Sequence, residues 1–135
     1  MKNKEYVSLG QIEGAISPHS RQLNRALDAR KEALDYVNNP AELAAYIGGA
    51  LETMGLREEW AITKELFPAV MVHFVYFKGD SEFPNNLRVF YSGDRLKLIS
   101  GDDLATITIA CATHMLRYVR ESNPDKRLPE VCYRV

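Results

Sequence analysis

Cys111 and His114 stand three residues apart, a spacing that puts both on one face of a helix. There a thiolate and an imidazole can hold a metal or form a nucleophile–base pair. Zinc takes four ligands, or three and a water, and the remaining candidates are His19, His73 and Cys132 at no zinc-motif spacing. The expectation is therefore no metal and no cofactor, with Cys111 and His114 packed in a buried helix. Arg88, Arg95 and Lys97 around Phe90 are the candidate ligand-binding residues, because cations beside an aromatic track phosphates and stack bases. The same charges also suit the solvated face of an antiparallel sheet. A third set, His73, Tyr76 and His114, would line a pocket between sheet and helices. Asp102 and Asp103 are adjacent and rarely point at one substrate, so they are read as helix-capping groups. The sequence contains no phosphate-binding glycine loop, GxSxG elbow, HExxH or CxxC. No catalytic residue is assigned, and enzymatic activity is the less favoured expectation.

These residues need elements to carry them. Ser17-Pro18 and Asn39-Pro40 each place a capping side chain before a proline at the first helical position. Leu23, Leu27, Leu34 and Val37 give the first helix an apolar stripe ending near Asn38. Leu43, Ile47, Leu51 and Met54 predict a second helix to about Met54, closed by Gly55, and the two make a helical hairpin. Residues 57–65 fit a short helix around Trp60, although β-branched Ile62 and Thr63 oppose it. Residues 69–77 are apolar on both alternating sets, which predicts a central strand covered on both faces.

Gly93-Asp94 predicts a two-residue turn joining strands 87–92 and 95–99, with Tyr91 opposite Leu96 and Val89 opposite Leu98. That register would put Leu96 and Leu98 in the core and Arg88, Phe90, Arg95 and Lys97 on the opposite face. Residues 104–120 predict a long buried C-terminal helix, and the alternation in residues 131–135 suits a short terminal edge strand. The expected fold class is α+β: an N-terminal helical hairpin, a three-stranded mainly antiparallel sheet and the long helix. All 135 residues form one domain, with residues 1–16 a partly ordered lead-in and 122–135 a tail.

Composition narrows the function classes. Seventeen basic against 18 acidic residues, a net charge of −1, removes the bulk electrostatic case for a nucleic-acid binder, so that partner is not favoured. No apolar run reaches the roughly 20 residues that span a bilayer, and no apolar stretch follows Lys2 and Lys4. The expectation is a cytoplasmic protein without membrane association and with both cysteines reduced. The favoured reading is a non-catalytic binding or regulatory protein acting through a surface, as a homo-oligomer that covers surplus apolar area on strand 69–77 and helix 104–119. The alternatives are an anionic-ligand or nucleic-acid binder using the hairpin face, and a small enzyme or ligand-binding domain with a pocket near His73, Tyr76 and His114.

Overall fold

A computed structural model describes residues 5–14 and 16–135. Met1 to Lys4, including the two lysines read at the N-terminus, and Ala15 lie outside the described residues. Four antiparallel strands follow one another as a meander: β1 (Ala50–Glu52), β2 (Trp60–Phe67), β3 (Val70–Phe77) and β4 (Asn86–Ser92). Helices α1 (Leu9–Glu13), α2 (Pro18–Arg30) and α3 (Pro40–Tyr46) precede or interrupt the approach to the sheet, and α4 (Gly101–Ser122) follows it. The class is α+β, with the long C-terminal helix in place. No described helix is long and apolar enough to cross a membrane.

The period-two alternation of strands decides what faces the helices. Trp60 pairs with Tyr76, Ile62 with Phe74, Phe74 with Val89 and Val72 with Tyr91, and all of these are buried under the helical layer. β3 lies between β2 and β4, and its other side carries His73 and Val75, both fully buried, so the strand is covered on both faces. α4 supplies Leu104, Ala105, Thr108, Ala112 and Met115 to this core. A smaller cluster joins Leu116 and Val119 to Ala33, Leu128 and Cys132.

Both Ser-Pro and Asn-Pro starts form as the capping chemistry predicts: Ser17 accepts from the His19 and Ser20 amides, and Asn39 from that of Glu42. α4 is capped by Ser100, whose hydroxyl accepts from the Asp103 amide, so Asp102 and Asp103 sit in the first turn instead of at the cap. Within the expected lead-in, Ser8 and Gln11 form a reciprocal capping box and α1 becomes ordered helix.

Other expectations are corrected. The second helix stops at Tyr46, because Gly48 takes a φ of +76° and Gly49 packs so tightly that an added Cβ would lie 2.6 Å from the Thr63 carbonyl oxygen. Residues 50–52, expected to be helical, form β1. Residues 57–65 are no helix: from Trp60 they are strand β2, the outcome favoured by Ile62 and Thr63. Residues 95–99 do not return as a strand. Leu96–Leu98 is a turn of 3-10 helix, because the Arg95 amide bonds the Ala69 carbonyl and the outer edge of Tyr91 is bonded to Val7. Leu96 is buried as expected, but Leu98 is 77% exposed. The closing alternation likewise forms 3-10 helix, at Glu130–Tyr133, and the fourth strand is β1.

Candidate functional site

The sheet ends in two edge strands, β1 and β4, and the outer edge of β4 presents unpaired backbone beside a groove. Tyr91 exchanges two hydrogen bonds with Val7, 2.9 and 2.7 Å, so its N–H and C=O point away from β3. In an antiparallel ladder that direction repeats every second residue. Leu87 and Val89 therefore aim their backbone groups outward as well, and among the described residues nothing bonds them there. The chain turns into α1 immediately after Val7, which leaves this stretch open.

A groove of about 680 Å³ runs along it, floored by residues 86–90 and walled by Leu23, Arg25 and Asp28 of α2 and by the start of α1. Asp28 is paired with Lys31 at 2.9 Å, whereas Arg25 and Arg88 have no carboxylate partner among the described residues. The groove is thus a hydrogen-bonding strand edge with two uncompensated cations. The Arg88 guanidinium lies 5.0 Å from the Phe90 ring centroid, a cation–π contact that fixes its position over the sheet.

Of the residues singled out by sequence, Arg88 and Phe90 are brought together here. Arg95, at the cap of the 3-10 turn, and Lys97, within it, are exposed beyond Gly93 and do not share the β4 face expected of them. His73, Tyr76 and His114 are not assembled. His73 and Tyr76 leave β3 on opposite faces, and His114 on α4 packs 4.7 Å from the Tyr46 ring. The Cys111 thiol is pushed up by burial, away from thiolate chemistry. No group of three metal-ligating side chains occurs among the described residues.

His73 has a different role from the one its sequence position suggested. Its Nδ1 lies 2.7 Å from Glu52 Oε1 and its Nε2 2.7 Å from Ser92 Oγ, while the Thr63 hydroxyl donates to the same Glu52 oxygen. The order carboxylate–imidazole–hydroxyl is that of a hydrolase triad, which also requires a nucleophile that substrate can reach. Ser92 is only 5% exposed, His73 is fully buried, and the Tyr6 ring covers the imidazole edge-on at 4.6 Å. One side chain comes from each strand of the sheet, so the chain of contacts ties β1 to β4 across the face opposite the helices. The sequence does not reveal it, because Glu52 falls where the apolar spacing predicts a helix. The groove was missed because Arg25 and Arg88 are far apart in sequence. No family model matches the chain, and neither does any curated protein or solved structure.

Proposed function

We propose that the protein is a non-catalytic binding protein that works through the β4 edge, taking an extended acidic segment of a partner protein as an added strand. The observation that carries this reading is the unpaired outward backbone of Leu87 and Val89 between two unpaired arginines. Strand addition draws affinity from main-chain hydrogen bonds and specificity from alternate side chains. A residue opposite Arg88 shares its face, and its neighbour turns toward Arg25 on α2, so two adjacent acidic residues satisfy both cations.

A second copy is the poorer occupant. Two-fold pairing of β4 with itself that uses Leu87 and Val89 on both copies centres on Arg88 and sets it against Arg88 of the other chain, and like charges directly opposite destabilise a ladder. An oligonucleotide is disfavoured as well, since Arg88 already covers a face of the Phe90 ring that a base would stack on.

The test uses an eight-residue threonine–valine peptide with two central aspartates, its twin with two lysines, and oligothymidylate. The acidic peptide should shift the Leu87 and Val89 amide resonances and slow their exchange with solvent, with Arg88→Glu weakening it at least fivefold. Val89→Pro, which deletes an outward donor and leaves the bonds to β3 intact, should also weaken it. Equal binding by the basic peptide or the oligonucleotide, or shifts confined to other elements, would overturn the proposal.

A further inference from the structure

A second cleft, of about 700 Å³, lies at the other end of the α2 segment, between residues 34–40, the start of β2, the end of β3 and the loop 79–85. Its floor is aromatic. Trp60 stacks on Tyr76 with centroids 5.1 Å apart and planes inclined by 23°, and both are almost entirely buried. Phe83 stands at the rim, 66% exposed.

The backbone of the loop that carries Phe83 is fixed by its own hydrogen bonds. Asp80 Oδ1 accepts the backbone N–H groups of Glu82 and Phe83, each at 2.8 Å, and these bonds hold its carboxyl below the usual carboxylate range. Gly79 lies so close to the returning chain that an added Cβ would be 2.6 Å from the Asn85 nitrogen. Asn85 in turn donates to the Lys31 carbonyl at 2.7 Å and to Asp35 Oδ1 at 3.0 Å, tying the loop to the helical layer. The Tyr76 hydroxyl donates to that same Asp35 oxygen, and burial together with this bond raises its pKa, so the phenol stays a donor at all ordinary pH. The second oxygen of Asp35 has no partner among the described residues. Nor has the carboxylate of Glu59 across the cleft. Three carboxylates, of Asp35, Glu59 and Asp80, face one cation, Lys78.

We infer that this cleft binds a small organic cation, an ammonium group seated against the Phe83 ring and neutralised by Asp35 and Glu59. The chemistry is that of aromatic recognition of alkylammonium ions, in which ring faces and carboxylates act on one charge and the apolar wall accepts the alkyl part. The site is separate from the β4 groove and shares no lining residue with it. Either a free amine or a lysine side chain of a partner peptide carries this group, and the test separates the two.

Trp60 is the only tryptophan in the chain, so its fluorescence reports on the cleft directly. Choline and n-butylammonium should each change it saturably, whereas 3,3-dimethylbutan-1-ol, a neutral isostere of choline, should not. Glu59→Gln and Phe83→Ala, both at exposed positions, should weaken the response at least fivefold with the melting temperature unchanged. A blocked Ala-Lys-Ala peptide that saturates the same signal more tightly than butylammonium assigns the cation to a partner's lysine, and weaker binding assigns it to a free amine. No response to any cation, an equal response to the neutral alcohol, or full response in both variants overturns the inference.

Discussion

Glu13 illustrates how far one exposed side chain can reach. Its carboxylate accepts from the Ser17 hydroxyl at 2.7 Å, sits 2.9 Å from His19 Nδ1 and meets the Gly101 amide at the start of α4, where an added Cβ on Gly101 would overlap it. The Ser17 bond first, then His19, holds its pKa below the ordinary glutamate value. A folded-state pKa that is depressed contributes stability above the unfolded value, lost as pH falls through the folded one. The acid limb of a melting-temperature profile should therefore begin below pH 4.5 for this group, and Glu13→Gln should flatten it. An unchanged acid limb in the variant would show that the contact contributes nothing. Gly93 is the other residue-scale test. Its φ is +121°, and a Cβ there would overlap the Ala69 carbonyl oxygen. Gly93→Ala combines backbone strain with overpacking and should cost about 3 kcal/mol in a denaturant melt. A loss under about 1 kcal/mol would mean that the turn relaxes freely.

At the scale of elements, what the sequence made legible was whatever local chemistry controls. The capped starts of α2 and α3, the central strand 70–77 and the long helix 101–122 all follow from caps, prolines and periodicity. What it hid depended on distant partners. Residues 95–99 alternate as a strand should, yet Val7 occupies the edge at Tyr91 and Ala69 captures the Arg95 amide, so no return strand pairs. The site was legible in the same measure: Arg88 and Phe90 follow from strand alternation, but Arg25, Glu52 and Asp35 acquire their roles only through contacts across the fold. The corrected path of residues 96–98 reverses a consequence of the hairpin reading. Leu96 is 9% exposed and Leu98 77%, so truncating them should separate sharply. Leu96→Ala should cost about 2–5 kcal/mol and Leu98→Ala about 0.5 or less. Comparable losses would restore the hairpin.

For the whole molecule, much of the apolar area of β3 and α4, the area from which self-association is expected, is buried within one chain, while Met71, Phe77, Ile107 and Ile109 stay partly exposed. Val70, Val72, Phe74 and Val75 of β3 and Leu104, Ala105, Met115 and Leu116 of α4 are at most 1% exposed. The large apolar side chains left outside, among them Ile16, Leu51, Phe83 and Leu98, come from separate elements and need no common partner surface. One route to assembly is the β4 edge, where an unpaired strand invites pairing and a charged residue discourages it. Arg88 is that charge. Sedimentation equilibrium at tens of micromolar should therefore give a species of 15.3 kDa. Arg88→Val removes the repulsion at the centre of a two-fold β4 pair while keeping a strand-forming side chain, so it should move the equilibrium toward dimer and protect the Leu87 and Val89 amides from exchange. A wild-type dimer unaffected by Arg88→Glu would place the interface elsewhere. An Arg88→Val protein that stays monomeric at high concentration would show that the edge is closed by more than charge, and the same closure would exclude an incoming acidic strand.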